Sequence, residues 1–65
     1  MMYVGLTDDP VKRKKEHREP PDFKVVQEFT SEAEALKWER DMIEQGYMDT
    51  RRGKEWHYGY ICSVI

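Results

Sequence analysis

The chain has 65 residues, 38% of them hydrophobic and 37% charged, with a formal net charge of −2. So short a chain buries only about 60% of the surface it exposes when unfolded, so residues 1–65 read as a single domain with a thin core. The balance of apolar and charged positions excludes a disordered chain. Its only cysteine, Cys62, excludes an internal disulfide and a four-cysteine zinc site, and no apolar run approaches the ~20 residues that span a bilayer, which fits a cytoplasmic protein with no signal-peptide pattern.

Met2 to Leu6 reads as a short strand, since Tyr3 and Val4 both favour extended backbone. Asp9 then suits a helix N-cap, with Pro10 at the first helical position where its missing N–H costs nothing. This helix is expected to reach Arg18 before Pro20 and Pro21 stop it. Only Val11 on it is a core candidate, so it reads as a surface helix. Phe23 to Phe29 is the second strand candidate, with Phe23, Val25 and Phe29 on one face and Lys24, Val26 and Glu28 on the other. Ser31 and Glu34 have capping-box spacing and open a second helix, which Gly46 ends in a left-handed turn. Gly46 to Lys54 reads as a loop. From Trp56 onward both alternating sets of residues contain apolar members, the pattern of a strand covered on both faces. The expected fold is α+β, in the order β-α-β-α-β.

Charge is segregated along the chain. Lys12, Arg13, Lys14, Lys15 and Arg18 cluster with only Glu16 opposing them, and Arg51, Arg52 and Lys54 form a second basic group. Arg13 and His17 stand four apart and so share a helical face. Together they suit a phosphate, Arg13 through a bidentate contact and His17 through a hydrogen bond; the plainer alternative is a solvated basic face. Glu39 lies three or four positions from Ala35, Leu36, Met42 and Ile43, in the middle of the apolar stripe of the second helix. A carboxylate aimed at a core must be paired, protonated or bound to a cation, unless the stripe is shallow and Glu39 reaches its edge. His17, His57 and Cys62 match no zinc spacing, and Cys62 reads as a small buried hydrophobe.

The run Tyr3-Val4-Gly5-Leu6-Thr7-Asp8-Asp9-Pro10-Val11-Lys12-Arg13, followed by His17, resembles the second half of the GIY-YIG nuclease signature. In that family an arginine and then a histidine occupy the helix after a Tyr-Ile-Gly strand; Tyr3, Gly5, Thr7, Arg13 and His17 agree with it. Glu34-Ala35-Leu36-Lys37-Trp38-Glu39 resembles the family's glutamate helix, and residues 2–45 are covered in the family's order. The family's first Gly-Ile-Tyr strand has no counterpart ahead of Tyr3. Either it has been lost, leaving a binding relic, or the strand with Tyr58-Gly59-Tyr60-Ile61 replaces it by circular permutation. Permutation is preferred because it uses the two-faced C-terminal strand. That strand is then expected at the centre of a three-stranded sheet, antiparallel to two strands that run parallel to each other.

The resemblance implies metal-dependent endonuclease activity, the hydrolysis of nucleic-acid phosphodiesters, with DNA ahead of RNA. Glu39 would hold Mg²⁺ or Mn²⁺, Arg13 would stabilise transition-state charge, and Tyr60 (less favourably Tyr58) would act as the base. Tyr3 would have a positioning role and His17 would orient water or substrate. Arg13, His17, Glu39, Tyr3 and Tyr60 are therefore expected on one concave surface. Lys12, Lys14, Lys15, Arg18, Arg51 and Arg52 would contact the nucleic acid. The competing classes are a catalytically inactive nucleic-acid-binding module and a protein-interaction domain anchored by Trp56 or Tyr47. A protein partner supplying recognition fits a chain this small.

Overall fold

The computed structural model describes residues 1–49 and 55–63. Arg51, Arg52, Lys54 and the expected continuation of the last strand through Val64 and Ile65 lie outside the described residues. Among those described, the elements are β1 (Met2–Thr7), α1 (Pro10–Glu16), β2 (Lys24–Glu28), α2 (Glu32–Glu44), β3 (Met48–Asp49) and β4 (Tyr58–Ser63). The α+β class is as expected, but the sheet has four strands in the order β2-β4-β1-β3. The added strand, β3, falls in the segment read as a loop. It is only two residues long, pairing Tyr3 with Met48 and Val4 with Asp49 in parallel, and so leaves no alternation to read. No described helix is long and apolar enough to cross a membrane.

β4 lies inside the sheet, antiparallel to both β1 and β2. β1 is the other interior strand, because β3 covers what would have been its open edge.

Local chemistry explains most boundaries. Asp9 caps α1 by accepting the Lys12 N–H at 3.1 Å, and Pro10 sits in the first turn. The helix stops two residues earlier than expected, with His17 as its C-cap, because Arg18 and Glu19 take positive φ values of 65° and 50°. Their N–H groups turn back to the carbonyls of Lys15 and Lys14. Ser31 is the N-cap of α2, but its side chain makes no capping hydrogen bond, so the expected capping box is not formed. Gly46 follows α2 with φ 109°, the left-handed geometry its position calls for.

The register fixes which helix covers which face. Neighbouring residues of a strand point to opposite faces, and directly opposed residues of an antiparallel pair share one. Gly5 opposes Tyr60 and Tyr3 opposes Cys62, whereas Val4 opposes Ile61 and Leu6 opposes Gly59. Tyr60 meets His17 at the end of α1, and Gly59 meets Trp38 of α2. The two helices therefore flank opposite faces of the sheet.

The α2 face is apolar. Leu6, Phe29 and Ala35 are buried there with Trp38 and Trp56 packed against them, and the Phe29 and Trp38 rings lie 5.5 Å apart. A β-carbon on Gly59 would come within 2.5 Å of the Trp38 ring, so glycine is what lets the indole close on β4. The stripe expected from Ala35, Leu36, Met42 and Ile43 is rotated. Ala35 is buried and Met42 half-buried, but Leu36 is 50% and Ile43 38% exposed, and Trp38 does the packing. β2 also departs from expectation. Val25 opposes Tyr60 and Gln27 opposes Gly59, so the bulge between them moves Phe29 to the α2 face while Phe23 stacks on Tyr60 on the other.

Candidate functional site

Three of the four expected catalytic side chains meet on the α1 face. β1 carries Tyr3, β4 carries Tyr60 and the end of α1 brings His17 between them. The Tyr3 and His17 rings are 5.3 Å apart, and His17 meets Tyr60 edge-on at 5.6 Å. The His17 Nε2 and the Tyr60 hydroxyl are 3.0 Å apart. Phe23 stacks on the other side of Tyr60 with centroids 4.8 Å apart. This packing seals the phenol: Tyr60 is 0% exposed. A base that takes a proton from an attacking water must reach that water, and Tyr60 in this arrangement does not. Tyr58 is half-buried on the same face, opposite Thr7.

Arg13 is buried too, at 7% exposed, and carboxylates hold both of its terminal nitrogens. Nη1 donates to Glu16 at 2.9 Å and Nη2 to Glu55 at 2.9 Å. Glu55 also accepts from the Asp8 N–H at 2.9 Å and the Thr7 hydroxyl at 3.3 Å. Sequence reasoning missed Glu55, which lies 42 positions from Arg13, because no local spacing joins them. Beside it the Asp8 carboxylate receives His57 Nδ1 at 2.5 Å and the backbone N–H groups of Trp56 and His57 at 3.2 Å each. These bonds hold the Asp8 carboxyl below its ordinary range, the His57 side chain first among them. His57 is stacked on Trp56 with centroids 4.1 Å apart.

The outer side of α1 has a different character. Lys12, Lys14, Lys15 and Arg18 are all exposed, as sequence reasoning requires of residues that would meet phosphates, while Arg51 and Arg52 lie outside the described residues. On the far side of β4, Ser63 donates to Asp22 through both its backbone N–H and its hydroxyl, which holds the Asp22 carboxyl down. Cys62 is a buried thiol, as expected, with its pKa pushed up by burial and secondarily by Asp22.

Glu39 does not join this group. It is carried by α2 on the other face of the sheet, half-buried rather than aimed into the core. It lines a groove of about 280 Å³ with Leu36, Arg40, Ile43, Glu44 and Asp49. The single concave surface expected from sequence is therefore divided, since the stripe that was to point Glu39 inward is rotated toward Trp38. Glu39 and Asp49 offer hard oxygen donors of the kind Mg²⁺ and Mn²⁺ accept. Among the described residues, however, no three of His, Cys, Asp and Glu stand at metal-binding spacing. The residues present do not fit a single centre in which a Glu39-bound cation and Arg13 act on the same phosphate.

No family model matches the chain, and comparison with curated proteins and with solved structures likewise found no match.

Proposed function

We propose that this chain is a GIY-YIG-like nucleic-acid-binding domain that holds backbone phosphates along the outer side of α1. One contrast carries this reading: Lys12, Lys14, Lys15 and Arg18 face solvent, while Arg13 is buried and paired with Glu16 and Glu55. Three exposed lysines on one short helix, with Arg18 just past its end, serve counterion release, which needs no assembled catalytic centre. The kinship implied by the resemblance is supported by β4, which lies between β1 and β2 where a permuted first-motif strand belongs. Fluorescence anisotropy with duplex DNA, single-stranded DNA and RNA across a salt series tests the binding. With four phosphate contacts, the logarithm of duplex affinity should fall with the logarithm of salt at a slope of about −3 to −4. Reversing Lys14 and Lys15 to glutamate should weaken all sequences alike and flatten that slope by about one for each lysine. Binding that survives both reversals with an unchanged slope refutes the α1 interface.

The second reading is the metal-dependent endonuclease, favoured by the meeting of Tyr3, His17 and Tyr60 on the same face as Arg13. It requires rearrangement, because Arg13 must exchange a carboxylate for a phosphate and Glu39 is on the other face. Product formation in Mg²⁺ or Mn²⁺, lost in Glu39→Gln and in Arg13→Ala, would establish it over simple binding. A pure binding module gives no product with any of these substrates.

A further inference from the structure

Three donors within residues 7–13 converge on the Glu55 carboxylate, which lies more than 40 positions further along the chain. Arg13 Nη2 reaches Oε2 at 2.9 Å, and the Asp8 N–H and Thr7 hydroxyl reach Oε1 at 2.9 and 3.3 Å. The Thr7 oxygen accepts the Asp9 N–H at 3.0 Å, which leaves its own proton to point at Glu55. Thr7 is fully buried and Arg13 nearly so, so two of the three donors are held in place by packing. A guanidinium, a backbone amide and a hydroxyl around one anion recognise a phosphate as readily as a carboxylate. Glu55 itself is only half-buried and belongs to the segment before β4, not to the end of β1, the turn or the helix that carry the donors.

We propose that Thr7, Asp8 and Arg13 form a phosphate site occupied by the chain's own Glu55, an internal competitor that a nucleic-acid phosphate must displace. The inference rests on the phosphate-binding reading of α1 and adds its innermost contact. Neighbouring carboxylates restrain the site without filling it. Glu16 sits on Arg13 Nη1, Asp8 is turned to Trp56 and His57, and Asp9 caps Lys12. Their repulsion disfavours free phosphate. A phosphodiester also held by Lys12, Lys14 and Lys15 has the added attraction needed to displace Glu55.

The test is an NMR titration of wild type, Glu55→Ala and Glu55→Gln with inorganic phosphate, beside anisotropy with duplex DNA. Removing the competing charge should tighten phosphate binding by about tenfold in Glu55→Ala, with shifts centred on the Asp8 amide and the Arg13 guanidinium. Glu55→Gln should gain less, because its amide oxygen still accepts from Asp8 and Thr7. Adding Thr7→Val or Arg13→Ala to Glu55→Ala should remove the gain. Equal phosphate affinity in wild type and Glu55→Ala, or shifts confined to the lysines, overturns the proposal. So does a failure of both neutral variants to fold, which makes Glu55 a structural counterion. If Glu55→Ala gains phosphate affinity but no form binds nucleic acid, the anion site stands and the α1 reading falls. If the lysine reversals abolish DNA binding while Glu55→Ala changes nothing, the reverse holds.

Discussion

The two faces of the sheet solve the problem of a short chain in opposite ways. On the α2 face the contacts are apolar: Leu6, Phe29 and Ala35 with Trp38 and Trp56, and a glycine where the indole lands. On the α1 face they are directional: a histidine between two tyrosines, and an arginine, a threonine and two acids joined by hydrogen bonds. Apolar burial is worth roughly 1.5–3 kcal/mol per large side chain, whereas a hydrogen bond contributes a net ~1 kcal/mol. The stability of the domain should therefore lie mainly with α2, which leaves the α1 face to carry chemistry.

The sharpest way to break that division is to remove Trp38. Truncating a packed aromatic costs about 3–5 kcal/mol, comparable to the whole stability of a domain this small. Trp38→Ala is therefore expected to populate the unfolded state without denaturant, as urea titration followed by circular dichroism will show. Gly59→Ala attacks the same contact from the strand and should cost about 1–3 kcal/mol, because the ring lies against Phe29 and cannot simply retreat. If either variant unfolds at the wild-type urea midpoint, the α2 face is not the main source of stability.

The same contrast explains what could be read from the sequence. Features set by neighbours in the chain were legible. Asp9 and Pro10 start α1, Gly46 ends α2, and the two-faced pattern after Trp56 marks an interior strand. Features set across the fold were not. A one-residue bulge in β2 reversed the side of Phe29, and nothing in its alternation announced it. Trp38 displaced Leu36 and Ile43 from the packed side of α2 because Gly59 offered a gap that helical periodicity does not register. That rotation also took Glu39 out of the expected common site. Glu55 was invisible because its partners are Thr7, Asp8 and Arg13, more than 40 positions away.

A milder perturbation sharpens the comparison on the α1 face. Tyr60→Phe keeps the ring stacked on Phe23 and removes only the hydroxyl facing His17 Nε2. The expected loss is about 0.5–1.5 kcal/mol, well below that of Trp38→Ala. Nucleic-acid affinity should be unchanged, because Tyr60 is sealed from solvent. A large fall in affinity with stability intact would mean that the face opens on binding, and it would favour the endonuclease reading.

The smallest expected effect lies at the rim of the α1 face, where Asp8 clips the segment before β4. Its carboxylate is held below the ordinary value of 3.8 by the His57 side chain and then the His57 backbone N–H, against an opposing effect of burial that outweighs the further lowering by the Trp56 N–H. A depressed folded pKa means that the unfolded chain binds the proton first as pH falls. The stabilising contribution is therefore complete above the unfolded value and disappears as pH drops through the folded one. Urea midpoints measured between about pH 5 and pH 2 should decline, and Asp8→Asn should remove part of the decline. Asp22, depressed by its bonds to Ser63, supplies a separate part that Asp22→Asn should remove. Because Asp8 is half exposed, water screens the effect and the change in slope should be modest. The apolar cluster of Leu6, Phe29, Ala35 and Trp38 should contribute nothing to it, because these side chains have no proton to exchange in this range. An acid slope that is the same in wild type and Asp8→Asn would show that the clip is absent in solution. The segment before β4 would then lose its tie to the Asp8 carboxylate, and Glu55 would be held only by its own bonds from the Asp8 N–H, Arg13 and Thr7.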